Sequence, residues 1–487
     1  MGLRPDRKVT AILPPAMSVS DRLTAPTPIY TLVFLRIAMG VLGAGDVLGN
    51  GIYYHWMKGA YGGFVFSYQG FEWAKPLPDP WLSVFFIVAF LLGLAVAAGW
   101  RFRITAPLFA AAFTYFFLLE KAHYLNHAYL FVWLCWLLCL TPAWRYFSLD
   151  ARRLPAARAT HVPAWCVYLF PALMGVVYFW GGVAKINYDW LIEAMPLHMW
   201  LQRRGEMPLL GWLWRQETTA YAMAWGGMLL DLSVPFLLLH RRLRWVALAL
   251  LAVFHATNHL IFNIGIFPYL SMVLTSLFFA PDWPLRFVKW ARRRAQKGPR
   301  TQVQRKDEAA PPPSGGYPAD VVAGGRRADG GDWQPNPRVY PWLATVGVLL
   351  FVVHCYLPLR HHLFASDVAW SEEGHRYSWR MMLRSKQGNG HFVVVDRATG
   401  AEQIVYPNRD LQPRQYRKMV THPDMILQYA HHLRDEAARE GRDVAVYGRF
   451  RVRLNGRVRH TYIDPNTDLA RTRWNWWGAK PWVLPEG

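Results

Sequence analysis

Blocks of roughly 18 to 20 residues almost free of charge recur along this chain, and no other feature narrows its fold so sharply. In lipid a backbone must satisfy its own N–H and C=O groups, so blocks of this length cross as helices. Nine are read, at about 29–48, 81–100, 104–120, 125–142, 164–184, 219–240, 243–262, 265–280 and 339–358. A polytopic α-helical membrane protein of about nine transmembrane helices is therefore expected. With 53% of residues hydrophobic and 18% charged, the composition excludes a disordered chain.

The net charge of +22 raises the question of a nucleic-acid partner. None is expected, because Lys and Arg gather where helices end rather than on one basic face interleaved with aromatics. Their distribution reads as topology. Arg4, Arg7, Lys8 and Arg22 precede the first helix, Arg101 and Arg103 separate the second and third, and Arg145, Arg152, Arg153 and Arg158 follow the fourth. "HRRLRW" after the sixth and "RFVKWARRRAQK" after the eighth fall on the same side. This predicts a cytoplasmic N-terminal segment, residues 1–28, and an extracytoplasmic segment after the ninth helix. The loop holding Arg203, Arg204 and Arg215 is the exception. The first residues, "MGLRPDRKVTAILPPAMS", lack a sustained apolar core, so the first helix rather than a cleaved signal is expected to direct insertion.

Residues 29–295 thus form a membrane domain of about eight helices, and 296–338, rich in Pro, Gly and charge, form a flexible cytoplasmic linker. After the ninth helix, residues 359–487 alternate in strand fashion, with turn signals "DRATG" and "LNG" and a helix at "HPDMILQYAHHLRDEAARE". This predicts a β-rich α+β domain. Cys135, Cys139, Cys166 and Cys355 all lie in apolar helices, so no disulfide framework is expected.

Polar groups inside the apolar blocks are the candidate chemistry, since each is costly in hydrocarbon unless paired or used. Lys185 ends the fifth helix on the outer side. Glu120, His123 and His127 share one face if the fourth helix starts near Glu120, with Asn126 beside His127. His255, Asn258, His259 and Phe262 repeat at three and four on the seventh helix. Asp231, mid-helix, reads more readily as a structural partner of Arg36 than as a catalytic group. The charge pattern, derived from other residues, sends Lys185, Asn126, His127 and the His255 cluster toward one leaflet. The alternatives are ordinary: a helix-end lysine snorkels, and buried His or Asn joins helices. The His255/His259 spacing can bind a metal, but such pairs arise easily by chance, and no metal is expected. A histidine-box di-iron site would need several boxes, and only "HATNH" qualifies. In a low-dielectric pocket an ammonium is disfavoured, and a neutral amine can deprotonate a lipid-soluble phenol or hydroquinone while His and Asn stabilise the oxyanion.

The ordered series "FLRIAMG", "LLEKAHYLNHAYL", "THVPAW", "VYFWGGVAKINYDW", "LLDLS", "VFHATNHLIFNIGIFPY", "FAPDWP", "YSWRMML" and "HPDMILQYA" resembles the vitamin K-dependent γ-glutamyl carboxylases and their bacterial relatives in the horizontally transferred transmembrane domain family. The resemblance spans roughly residues 29–480, interrupted by the linker. It implies an integral protein of a bacterial cytoplasmic membrane that couples oxidation of vitamin K hydroquinone to its epoxide, using O2 and CO2, with carboxylation of peptide glutamate. It implies that Lys185 is the base, with His127, Asn126 and His255 as further catalytic groups and Asn258, His259, Trp379 and Met381 as quinone contacts. Implied partners are a glutamate-containing peptide presented from the extracytoplasmic side, the quinone and membrane lipid. Two departures concern peptide recognition: Arg380 stands where an acidic residue is usual, and the cysteine pair joining the two portions in animal enzymes has no counterpart. A quinone epoxidase or oxidase without peptide carboxylation, or a non-enzymatic quinone or lipid binder, are the other readings.

Overall fold

The computed structural model describes residues 18–262, 264–296, 340–364, 366–476 and 480–487. The expected linker, apart from Gln296, lies outside the described residues, as do the residues before Ser18. In chain order the main helices are α1 (Tyr30–Asp46), α2 (Trp81–Ala98), α3 (Phe102–Leu118), α4 (Asn126–Cys139), α5 (Trp165–Ala184), α6 (Glu217–Leu239), α7 (Arg244–Ile261), α8 (Phe267–Ser276), α9 (Trp283–Gln296) and α10 (Tyr340–Tyr356). A π-helical turn, Val47–Tyr53, carries α1 on to Lys58.

Of the nine expected crossings, six are matched by length and composition. Among the described residues six helices are long and apolar enough to cross a bilayer: Tyr30–Lys58, Trp81–Ala98, Trp165–Ala184, Glu217–Leu239, Arg244–Ile261 and Trp342–Leu363. The helices at the other three positions, α3, α4 and α8, have 17, 14 and 10 residues. At 1.5 Å per residue α4 and α8 are only about 21 and 15 Å long, short of a hydrocarbon core of about 30 Å. The chain leaves the helix at Glu120, which caps a 3₁₀ turn (Lys121–His123), and α4 starts only at Asn126, so Glu120, His123 and His127 do not share a helical face.

Close helix approach sets the site. A Cβ on Gly182 of α5 would stand 2.8 Å from Leu232 N of α6, so only glycine admits this backbone contact. The contact carries Asp231 to Lys185, and the expected Asp231–Arg36 pair does not form. Arg36 instead donates to the carbonyls of Ala143 (3.2 Å) and Phe147 (2.6 Å) in the segment that follows α4. Arg204, in the basic loop that broke the charge pattern, donates to Ile261 O at 2.9 Å and so closes the end of α7.

The C-terminal region builds a four-stranded antiparallel sheet from β1 (Lys386–Asp396), β2 (Glu402–Val405), β3 (Val444–Leu454) and β4 (His460–Thr461), in the order β2-β1-β3-β4. Val394 faces Val446, and one apolar face of the alternating strands is covered by α12 (Pro423–Arg439), which follows the short α11 (Pro413–Met419). Phe392, Phe450 and Tyr429 meet in that core.

Polar contacts fasten this domain to the bundle. Lys121 Nζ lies 2.8 Å from Asp424 Oδ2, which also receives Arg376 Nη1 at 2.8 Å. Gln415 donates to Glu120 at 2.7 Å and to Phe64 O at 2.8 Å. Asn455 donates to Asp189 at 2.6 Å, and Arg457 pairs with the same carboxylate. The four cysteines are free.

Candidate active site

Lys185 is the residue that ends α5. Its Nζ donates to Asp231 Oδ2 at 2.5 Å and to Gly181 O at 3.1 Å, and lies 5.9 Å from the centre of the Trp190 ring. The two side chains are 8% and 5% exposed, so the pair is held out of water. The amine is therefore not alone in its pocket: a carboxylate lies within hydrogen-bond distance.

Beside the pair lies a cavity of about 340 Å³. Lys185, Asn126, His127, His255, Asn258 and Met381 line it, with Trp190, Phe254, Phe262 and Phe267 supplying apolar wall. Two expected residues do not. Trp379 is buried against Tyr129 and His354, behind the wall. His259, one turn past His255 at the end of α7, is exposed beside the Tyr269 ring.

Each polar side chain is oriented by its neighbours. His255 Nε2 shares a hydrogen bond with Tyr178 OH at 3.2 Å, and that hydroxyl meets Thr275 Oγ1 at 3.1 Å. Tyr178 lines the cavity and was not among the expected residues; its signal is its place seven residues before Lys185, two turns along one face of α5. Asn126 Oδ1 accepts from Tyr124 OH at 2.8 Å, which leaves its amide nitrogen for a ligand. His127 is 9% exposed and makes no hydrogen bond to protein among the described residues, so both ring nitrogens are available.

A second cavity, about 560 Å³, adjoins the first. Arg384, Lys386, Arg414, Arg417 and Lys418 make it a cationic basin, with Glu372 as the one acidic residue of its wall. Leu125, His127, Trp200, Arg384, Lys418 and His422 belong to both walls.

No solved structure matches the chain. The HTTM domain family model matches residues 24–283, more than half of the sequence, and the vitamin K-dependent gamma-carboxylase lumenal domain matches residues 340–487. The chain belongs to the vitamin K-dependent gamma-glutamyl carboxylase family. In this carboxylase-family protein both cavities lie where the two matched regions meet. Lys185, His127 and His255 come from the first, Met381, Arg384 and Lys418 from the second.

The basin's charges are tuned by their surroundings. Burial alone would push the Glu372 carboxyl up, but Arg384, His422 and Lys386 outweigh it and hold it well below the usual carboxylate range. Arg384 Nε donates to it at 2.7 Å. Enclosure in the basin strips water from the Lys418 ammonium and Arg384 repels it, lowering its pKa to about 8. Arg380, on the wall of the apolar cavity, has its pKa lowered by burial, with Asp367 opposing.

Proposed function

We propose that this protein is a vitamin K-dependent γ-carboxylase, coupling oxidation of the hydroquinone to its epoxide with carboxylation of glutamate in a peptide. The observation that carries this reading is the shared wall: a cavity with an aromatic side, which holds the Lys185–Asp231 pair and His127 and is itself edged by Arg376, Arg380, Arg384 and Lys418, abuts a basin lined by five cationic side chains. A cavity of about 340 Å³ falls within the range of ligand pockets, roughly 300–1,000 Å³. Its aromatic wall fits a planar ring system, and the unengaged nitrogens of His127 fit a ring oxygen. The basin's Arg and Lys groups fit a carboxylate, which they bind by charge-assisted hydrogen bonds.

When bound, the reduced naphthoquinone supplies the oxygen chemistry, and its oxidation provides the base that takes a γ-proton from glutamate. Lys185, as the neutral amine, accepts the hydroquinone proton, and Asp231 is the second site where that proton can rest. Asn126 and His127 hold the developing oxyanion, and Tyr178 fixes the His255 ring. O2 and CO2 enter from the lipid side, where apolar gases partition. Arg22 before α1, Arg241, Arg242 and Arg244 at the start of α7 and the Arg residues of α9 belong to helix ends opposite Lys185, which supports a cytoplasmic location for that end and an extracytoplasmic one for the sheet domain, in a bacterial cytoplasmic membrane.

The test is an assay of purified protein in lipid nanodiscs with reduced vitamin K, bicarbonate and a glutamate peptide. Epoxide and γ-carboxyglutamate in equal amounts are expected. Epoxide without fixed carbon would leave a quinol-oxidising relative, and neither product would defeat the reading.

A further inference from the structure

Next to His127 lies a third cavity that the proposed chemistry has not used. It holds about 50 Å³, room for a few water molecules, and its wall is polar where water needs partners. Asp46 and Asn50 face it from α1 and the π-helical turn. Tyr54, Tyr61, Glu120, His123, His127 and Arg414 are the titratable and charged groups that surround Asp46 there.

Four observations set this chamber apart. Asp46 is 8% exposed and accepts from Asn50 Nδ2 at 2.8 Å, and no cation pairs with it among the described residues. A carboxyl in that position is costly inside a bundle unless it is used. The π-helical turn begins at the very next residue, and such turns interrupt helices most often at functional sites. His123 Nε2 is buried without a hydrogen-bond partner. Finally, His127 belongs to the walls of all three cavities, and Asn50 and Arg414 line both the chamber and the basin.

The proposed reaction leaves a proton to dispose of. Hydroquinone brings two O–H hydrogens and glutamate one C–H hydrogen. One oxygen atom of O2 enters the epoxide and the other leaves as water, taking two of the three hydrogens. The Cγ–H bond breaks, a bond to CO2 forms, and the new carboxylate carries the negative charge. The electrons balance, since the four taken from the quinol are those that reduce O2. One proton per turnover remains.

We propose that the chamber is the exit for this proton, with Asp46 as its relay. This rests on the carboxylase reading. His127, on the same cavity wall as Lys185 and Asp231, takes the proton released by that pair on one ring nitrogen and releases one from the other into the chamber water. The Asp46 carboxylate takes it up and returns it to water, which carries it between the Asn50 and Arg414 side chains into the basin. Asp46 touches no substrate and acts through His127.

The experiment compares wild type, Asp46→Asn and Ala128→Val in nanodiscs. Ala128 lines the chamber from α4, and two added methyl groups there displace its water without changing any titratable group. Epoxide formation and carbon fixation are followed across pH and in D2O, with melting curves for each protein. For both variants kcat is expected to fall about tenfold or more with KM for the quinol unchanged, as for loss of a positioned proton carrier. The solvent isotope effect is expected to rise, and added imidazole to restore part of the Asp46→Asn rate, which a merely structural role would not allow. If Asp46→Asn does not fold, Ala128→Val decides. Wild-type kcat and isotope effect in a folded variant overturn the inference while the carboxylase reading stands. A wild type that fixes no carbon defeats that reading, and the inference with it.

Discussion

Removing one charge of the Lys185–Asp231 pair separates its structural from its chemical role. Lys185→Met leaves the Asp231 carboxyl 5% exposed and facing no cation. Stranding one partner of a buried pair costs about 3–5 kcal/mol, which at about 2–4 °C per kcal/mol lowers the melting temperature by about 6–20 °C. The double variant Lys185→Met/Asp231→Leu strands no charge, and apolar replacement of a buried pair is close to neutral, so its melting temperature should return most of the way. Activity should not return with it: loss of a positioned base lowers turnover about 10²–10⁴-fold, and the double variant still lacks the amine. Lys185→Arg keeps a cation for Asp231 and should melt near wild type, yet a guanidinium stays protonated and cannot act as base. The assay is epoxide formation and carbon fixation in nanodiscs alongside the melts. Wild-type turnover in folded Lys185→Arg, or restored turnover in the double variant, would refute the catalytic role.

His127→Ala should lower turnover about 10²-fold or more with little change in melting, because His127 makes no hydrogen bond to protein among the described residues; parallel losses of folding and activity would contradict this. Lys418, with its pKa lowered to about 8, is a cation below that pH and neutral above it, so KM for an acidic peptide should rise between pH 7 and 9, and Lys418→Gln should flatten the rise. Burial disfavours ionisation of Asp424, but Arg376 and Lys121 outweigh it and hold its pKa far below the ordinary carboxylate value. Its stabilisation of the domain junction is therefore complete above about pH 4 and is lost as pH falls further; Asp424→Asn should cost about 3–5 kcal/mol and make the junction sensitive to protease at neutral pH.

The helical periods and charge pattern made much of this architecture legible, including the meeting of Lys185, Asn126, His127 and His255 at one end of the bundle. What stayed hidden depends on how helices rotate and approach. Asp231 and Arg36 are both polar residues in apolar helices, and composition cannot say which cation Asp231 meets; the glycine pair Gly181–Gly182, which lets α6 reach α5, was the unread signal. The chamber was hidden because the turn at Val47–Tyr53 departs from the 3.6-residue period on which the helix was read. Glu120 and His123 were assigned to a helix that starts only at Asn126, yet they reach the space beside His127 from a 3₁₀ turn. Trp379 packs against Tyr129 and His354 instead of lining the cavity, while Met381 two residues on does line it, and the loop's path is not legible from spacing.

The wall common to the apolar cavity and the basin, with His127 in it, has a consequence for how the reactants find one another. Neither needs to cross into the other's phase. If the protein is the carboxylase proposed here, the quinol would search in two dimensions, at a concentration set by its mole fraction in the bilayer, while the peptide would search in three, at its aqueous concentration. Diluting the nanodiscs with buffer at constant lipid composition therefore changes occupancy of the basin alone, and adding inert lipid changes occupancy of the apolar cavity alone.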